Sequence, residues 1–285
     1  MKKSVALLLT LACAFSMVAC GAKTEEAPAA TEEAVVEEAA TEEATTEEAA
    51  TEEAATEEAA TEETVEADVK SEGVMTYEEY AAAALDTEVT VETYVQAKQS
   101  WWEDKATVYT QDKDGAYFLY EMACSEEDYA KLVPGTKIRV NGYKAEWAGE
   151  VEIIEATFEI LEGSYIAEAE DMTAMLASEE LVNHQNKFVA FKGMTVEASK
   201  DADGNDVAFL YNWDGSGEDG NDLYFNVSLD GQTYTFTVES YLCDNTTDVY
   251  AAVKNLQIGD VVDMEGFLYW YEGVNPHITS LTVVE

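Results

Sequence analysis

The chain has 285 residues, enough for one or two domains, and its 60 acidic residues against 15 Lys and Arg give a net charge of −45. Residues 71–285 alone hold 42 acids and 11 Lys and Arg, so the acidity is not confined to one tail. Such a surface repels phosphate polyanions and accumulates cations, and on this ground we predict that nucleic acid is not a partner.

The N-terminus has the pattern of a lipoprotein signal peptide. Two lysines precede an apolar run, residues 5–18, that is shorter than the roughly 20 residues a membrane-spanning helix needs. The run ends in MVACG, which resembles a lipobox whose cysteine is Cys20. We predict a signal peptide at 1–19 and a lipid-anchored N-terminus at 20–23, with a diacylglyceryl lipid and palmitate on Cys20. This membrane contact places the protein on the extracellular face, in the cell envelope. The alternative is a plain secretory signal that ends near a cysteine by chance.

Residues 24–74 are predicted to be a disordered, low-complexity acidic linker. From Thr31 onwards the sequence repeats with a period of five, as TEEAA or close variants of it. Five residues turn a helix by about 500°, so the glutamate pairs wind around every face and no apolar stripe forms. With nothing to bury, the segment cannot offset the entropy of folding. It serves as a stalk or, alternatively, as a tail that binds cationic partners or divalent ions.

Two later stretches, residues 133–160 and 257–284, are copies of each other. A shift of 124 residues aligns three glycines, spaced seven apart, together with the apolar positions between them. Apolar and polar residues alternate in both copies, which predicts half-buried strands. The second glycine of each set, Gly142 and Gly266, falls inside a strand and predicts a bulge or a sharp bend.

The elements before these stretches also repeat. In the first copy we predict strands at 88–98, 106–109 and 116–122 and a helix at 125–132. In the second copy we predict strands at 187–198, 223–228 and 232–240 and a helix at 247–256. A short helix, opened by a capping box of Thr76 and Glu79, leads into the first copy, and residues 172–183 are predicted to play the same part in the second.

Three strands, a helix and two strands is the element order of the OB-fold. We therefore predict a mainly β protein with two tandem OB-like five-stranded Greek-key barrels, each with a short helix between strands 3 and 4. The element order, the glycine spacing and the MTYEEYAAA lead-in resemble the OB-fold lipoproteins exported by Gram-positive bacteria. The predicted domains are 75–163 and 164–285, and the second carries an acidic, Gly-rich insertion at 199–222.

Grouped aromatic residues are the predicted ligand-binding surface. Neighbours on a strand point to opposite faces, so at least one member of each group is expected outside the barrel core. Exposed aromatics often mark recognition surfaces. The alternative is packing within the barrels or at the seam between them. The residues are Trp101, Trp102, Tyr143, Trp147, Tyr269, Trp270 and Tyr271.

Carboxylates of the insertion are candidates for a weak Ca²⁺ site, because Ca²⁺ prefers hard oxygen ligands. The spacing is not that of an EF-hand, and a flexible acidic hairpin is the alternative. The candidates are Asp201, Asp203, Asp206, Asp214 and Asp219. Cys124 and Cys243 occupy matching places and are predicted to be small buried residues.

No catalytic residue is predicted, because the two histidines, His184 and His277, stand at non-equivalent places and no phosphate-binding or dinucleotide motif occurs. We therefore predict no enzyme and no cofactor beyond weak Ca²⁺. The predicted function is a lipid-anchored extracellular protein that binds a glycan or peptide on an aromatic barrel face. The alternatives are a structural or surface-display lipoprotein without a small-molecule ligand and a Ca²⁺-binding envelope protein.

Overall fold

A computed structural model describes residues 70–284 of the chain. The predicted signal peptide, the predicted lipid-bearing Cys20 and residues 24–69 of the predicted linker lie outside the described residues. Within residues 70–284, no helix is long and apolar enough to cross a membrane.

The first barrel closes in the strand order β1-β2-β3-β5-β4. A parallel pairing of β3 with β5, which places Phe118 opposite Glu152, completes the closure. A short helix, α1, precedes the barrel, and a second helix, α2, lies between β3 and β4. The elements are α1 (Tyr77–Ala82), β1 (Glu88–Lys98), β2 (Lys105–Gln111), β3 (Ala116–Ala123), α2 (Glu126–Tyr129), β4 (Thr136–Trp147) and β5 (Glu150–Ser164).

The second barrel repeats this arrangement. Strands β7, β11, β12, β14 and β13 follow one another, and the pairing of β11 with β7 closes the ring. Two short strands extend the barrel sheet, β6 beside β7 and β10 beside β11. The strands β8 and β9 form a separate two-stranded sheet in the insertion. The elements are β6 (Glu170–Asp171), β7 (Phe188–Glu197), β8 (Ser199–Lys200), β9 (Asp206–Val207), β10 (Leu210–Tyr211), β11 (Leu223–Leu229), β12 (Gln232–Val238), α3 (Asp248–Lys254), β13 (Val261–Phe267) and β14 (His277–Val284). The predicted fold class is confirmed.

Gly142 and Gly266 occupy equivalent positions and have the same structural role in the two barrels. The ladder of each barrel shifts register at Gly142 and at Gly266, as the predicted bulges require. A Cβ on Gly142 would lie 2.8 Å from the Ile154 carbonyl oxygen, and one on Gly266 would lie 2.7 Å from Ile278 Cα. Only glycine therefore allows the neighbouring strand to pass this closely.

The register also locates the insertion. In the first barrel Val89 pairs with Gly142, 53 residues later, and in the second Val189 pairs with Gly266, 77 residues later. The difference of 24 residues equals the length of the segment 199–222. The pairing of the first two strands assigns 18 of these residues to the connection between them: Val95 pairs with Thr110, 15 residues later, and Thr195 pairs with Ser228, 33 residues later.

The two lead-in segments differ. Helix α1 has the predicted capping box, in which the Thr76 hydroxyl accepts from Glu79 N and the Glu79 carboxylate accepts from Thr76 N. The prediction of a matching helix at 172–183 is wrong: this segment forms two 3₁₀ helices, Thr173–Met175 and Glu179–His184. Ser178 interrupts the segment because it has extended backbone and caps the second turn by accepting from Glu180 N.

Each barrel has its own apolar core, and the two cysteines are part of these cores. Cys124 belongs to the first core and Cys243 to the second, and both are buried free thiols. Burial raises the pKa of each thiol to about 11, so both stay protonated and unreactive at neutral pH.

A third apolar cluster joins the barrels. The ring of Tyr109 stacks on that of Phe267 with centroids 4.3 Å apart. Trp270 N donates to Glu150 Oε2 at 2.8 Å across the same seam. Because stacked rings and buried hydrogen bonds cross together, the seam holds the barrels in one arrangement.

Candidate functional site

A depression of about 990 Å³ lies on the outer face of β11 and β12. We call it the acidic cleft. One wall comes from the insertion and the other from residues 269–275, which connect β13 to β14. Barrels of this type use this strand face and these two loops to hold ligands. Its acids are Asp222, Glu239 and Glu272, and its aromatic residues are Trp147, Trp213, Tyr224, Tyr269 and Tyr271.

Among the three acids of the acidic cleft, Glu239 is unusual because its side chain is buried. Its side chain lines the cleft but is only 9% exposed, and its Oε2 atom is buried without a hydrogen-bond partner. Oε1 accepts a long bond of 3.3 Å from Tyr241 N. Burial, assisted by the charge of Asp222, raises the pKa of Glu239 to about 7. An unpaired buried carboxylate oxygen is costly, so this atom is poised to accept a donor from a ligand.

The carboxylate of Asp222 is held near Glu239 by hydrogen bonds from Ser240. Its Oδ1 accepts from both Ser240 N, at 2.8 Å, and Ser240 Oγ, at 2.6 Å. The nearby Tyr224 stays neutral because burial and the neighbouring carboxylates raise its pKa to about 12. The one lysine of the cleft, Lys200, lies 2.7 Å from Asp206 in an exposed ion pair. The lining therefore carries a negative charge that no cation within the cleft compensates.

The mouth of the acidic cleft is formed where matching loops of the two barrels meet. Trp147 and Tyr271 are equivalent under the 124-residue shift, and their ring centroids are 5.2 Å apart. Glu272 N donates to Ala148 O at 2.7 Å beside them. Trp147 and Tyr271 are 56% and 48% exposed, so aromatic surface remains available at the mouth.

A second depression, about 460 Å³, adjoins the first on the side of the first barrel. We call it the aromatic groove, and its aromatic residues are Trp102, Phe118, Tyr120, Tyr241 and Tyr269. Its lysine, Lys105, forms an ion pair with Glu121, and both residues line the groove. Glu239 therefore supplies its remaining uncompensated carboxylate.

Three residues line both depressions: Glu239, Tyr269 and His277. The rings of Tyr269 and His277 stack with centroids 4.2 Å apart, and His277 Nδ1 lies 2.8 Å from the Tyr109 hydroxyl. Burial lowers the pKa of His277 to about 3, so the imidazole is neutral at physiological pH. The shared wall is thus uncharged except at Glu239.

The structure brings some of the predicted ligand-binding residues together and separates others. Trp147, Tyr269 and Tyr271 line the acidic cleft, and Trp102 lies in the aromatic groove, which Tyr269 also lines. The other three predicted residues do not line either depression.

Trp101, Trp270 and Tyr143 stand outside both depressions. The indole of Trp101 donates to Cys124 O at 2.9 Å. Trp270 packs against the core of the second barrel. Tyr143 lies on β4 opposite Glu88 and is 40% exposed.

Four of the five aspartates predicted as weak Ca²⁺ ligands, all except Asp203, use their carboxylates in local turns or ion pairs. Asp201 Oδ1 accepts from Asp203 N and Asn205 N, and Asp214 Oδ1 accepts from Ser216 N. Asp219 pairs with Lys254. Among residues 70–284, no group of three or more His, Cys, Asp or Glu is arranged to hold a metal ion.

Sequence reasoning missed the residue that dominates the site. Glu239 follows the alternating strand Gln232–Val238 and has no motif around it. Among 42 acids in residues 71–285, Glu239 is distinguished by being buried and lining both depressions, and this depends on the packing of two barrels. Trp213, 76% exposed in the insertion, was visible as an aromatic in an acidic loop.

No family model matches the chain, and no curated protein matches it. Solved structures do. A murine DNA-binding protein bound to double-stranded DNA is 9% identical and covers 69% of this chain and 95% of its own, with a TM-score of 0.32. A HINa domain in complex with a 20-base-pair duplex is 11% identical, with coverages of 70% and 93% and a TM-score of 0.32. The tetrameric p202 HIN2 is 11% identical, with coverages of 70% and 95% and a TM-score of 0.30.

This finding corrects two predictions. These are the exclusion of nucleic acid as a partner and the prediction of an extracellular glycan- or peptide-binding protein, with structural and Ca²⁺-binding envelope alternatives. The neighbours are described as DNA-binding proteins, so neither prediction is kept. DNA binding is a property that these descriptions give to those proteins.

Proposed function

We propose that the chain is a non-catalytic binding protein for a small organic cation, an amine, held in the acidic cleft. The observation that carries the proposal is the Glu239 carboxyl group, which lines the cleft with a buried, unpaired Oε2 atom. An ammonium group supplies both the missing donor and the missing charge.

The surroundings of Glu239 support a cation in two further ways. Asp222 lies close enough to raise the pKa of Glu239, so a bound ammonium lowers the repulsion between the two carboxyl groups. Faces of Trp and Tyr rings attract cations through their quadrupoles, and five such rings line the acidic cleft.

The direct test compares three ligands that share one tail and differ in charge: hexylamine, hexanol and hexanoate. Each is titrated into the protein at pH 8, with binding followed by the fluorescence of Trp147 and Trp213, which line the cleft. We expect hexylamine to bind at least about tenfold more tightly than hexanol, because a charge-assisted bond to a buried carboxylate contributes about 1.5–3 kcal/mol. Equal affinities for hexylamine and hexanol would refute the proposal.

Variants locate the binding site. Glu239→Gln keeps the shape and removes the charge, so hexylamine affinity is expected to fall about 10- to 100-fold while hexanol affinity stays constant. Glu162→Gln, an exposed change at the end of β5 and outside the cleft, is the matched control and is expected to leave both affinities unchanged.

A 20-base-pair DNA duplex is the fourth titrant, because the solved neighbours include proteins described as bound to DNA. Saturable duplex binding that displaces hexylamine from the wild-type protein would contradict the proposal and assign the cleft to nucleic acid. Hexylamine binding that the duplex does not disturb would support it.

We also propose a location. The sequence pattern ending at Cys20 supports a lipid anchor on the outer face of a cell membrane. Cells fed labelled palmitate are expected to label the wild-type chain and to leave Cys20→Ser unlabelled. Equal labelling of both chains would contradict this location.

A further inference from the structure

The acidic cleft and the aromatic groove meet at Glu239, and this contact bears on the kind of amine that fits. Glu239, Tyr269 and His277 line both depressions, so an ammonium group that contacts Glu239 lies beside the aromatic groove.

The groove has the chemistry of a site for an uncharged tail. Five aromatic residues line it, and three of their rings are strongly exposed: Trp102 at 69%, Tyr241 at 65% and Tyr120 at 43%. Clustered exposed aromatics are typical of recognition surfaces. The charge of Glu121 is already met by Lys105, so a second ammonium group finds no free carboxylate there.

We propose that the ligand is an elongated amphiphilic amine that lies across both depressions. Its cationic head contacts Glu239 in the acidic cleft, and its apolar tail packs between Trp102, Tyr120 and Tyr241 in the aromatic groove. This inference rests on the proposed amine-binding function and specifies the substrate class of the same site.

A chain-length series of propyl-, butyl-, pentyl- and hexylamine tests the tail. Each methylene that enters an apolar groove is expected to tighten binding to the wild-type protein about fourfold until the groove is filled. In Trp102→Ala and in Tyr120→Ala the dependence on length is expected to flatten, with hexylamine weakened about tenfold and propylamine unchanged. Tyr143→Ala removes an aromatic ring about as exposed as Tyr120, on the first barrel and outside both depressions, and is expected to keep the wild-type dependence.

The outcomes separate this inference from the function on which it rests. Equal affinity for all four amines, or a length dependence that survives both groove variants, would overturn the amphiphilic ligand while leaving amine binding intact. Failure of the amine-binding function itself has a different signature, namely hexylamine and hexanol binding with equal affinity. Far-ultraviolet circular dichroism of each variant verifies that the barrels are folded.

Discussion

The two barrels share a framework, but they treat one equivalent position in opposite ways. Lys144 in the first barrel and Leu268 in the second each donate their backbone N–H, at 3.0 Å, to the equivalent carbonyl oxygens of Thr87 and Lys187. The Leu268 side chain fills the core of its barrel. The buried Lys144 ammonium group instead donates to three carbonyl oxygens at the end of α1. The first barrel thus uses this position to attach its lead-in helix, and the second uses it for packing.

The outward faces differ as well. The second barrel has the insertion at 199–222, and with it a cleft of about 990 Å³ that holds uncompensated acids. The corresponding face of the first barrel has a smaller groove of aromatic residues, about 460 Å³. Strand order and glycines are therefore common to both copies, whereas binding chemistry lies in loops and outward side chains.

The largest expected effect concerns the shared framework. Gly266→Ala places a Cβ against the backbone of His277 and Ile278, and we expect a loss of at least about 3 kcal/mol in the free energy of unfolding. Gly142→Ala meets the Ile153 methyl first, at 2.7 Å, and is expected to cost about 1 to 3 kcal/mol. Urea unfolding measures both, with the exposed Glu265→Ala as the control. Equal, small losses would show that the close approach is not required.

Lys144→Leu gives the first barrel the residue type that the second barrel has at the equivalent position, Leu268. The change leaves the terminal carbonyl groups of α1 without their donor, so we expect a loss of about 2 to 3 kcal/mol and faster hydrogen exchange across residues 77–82. Lys131→Leu removes only exposed ion pairs and is expected to cost less than about 0.5 kcal/mol. Unchanged exchange in α1 after Lys144→Leu would contradict this role.

Two buried glutamates at the start of β5 lead us to predict that the protein becomes less stable as pH rises. Burial raises the pKa of Glu150 to about 8 and of Glu152 to about 7. The folded state therefore holds more protons than the unfolded state between about pH 4.5 and 8, and stability falls as pH rises through this range. Glu150→Gln is expected to raise the free energy of unfolding by about 2 to 4 kcal/mol at pH 8 and by little at pH 5. A melting temperature of Glu150→Gln that follows the wild type at both pH values would refute this assignment.

Glu92 is also a buried acid, but its pKa is lowered, whereas that of Glu150 is raised. Burial acts to raise its pKa, but hydrogen bonds from Ser71, Arg139 and Lys137 outweigh it and lower the pKa to about 2. Its contribution to stability is present above about pH 4.5 and is lost as pH falls toward 2. Glu92→Gln is therefore expected to destabilise the protein at pH 7, where Glu150→Gln stabilises it.

The smallest expected effect belongs to the insertion, which only the second barrel has. Trp213 is 76% exposed at the acidic cleft, where a cation–π contact is worth about 0.5–1 kcal/mol. Trp213→Ala is expected to weaken hexylamine two- to fivefold without changing the melting temperature. No change in hexylamine affinity would remove Trp213 from the binding surface.

The sequence allowed the barrels to be predicted because glycine spacing and strand alternation are local signals. Gly142 and Gly266 were visible as a pair, and the structure explains both by the same close approach of strands. The lead-in of the second barrel was mispredicted because its buried residues, Met172, Leu176 and Leu181, pack onto the core from 3₁₀ turns. Glu239 could not be predicted because its burial arises from residues far apart in the chain.

The most direct test of the account is the pH dependence of hexylamine binding. Hexylamine stays protonated near neutral pH, as lysine side chains do, so between pH 6 and 8 the change is expected at Glu239, whose pKa is about 7. The wild-type affinity is expected to rise up to about tenfold from pH 6 to pH 8 as the carboxyl group ionises. The affinity of Glu239→Gln is expected to stay constant over the same range. A pH-independent wild-type affinity, or an equal rise in Glu239→Gln, would contradict the assignment of this carboxylate as the cation site.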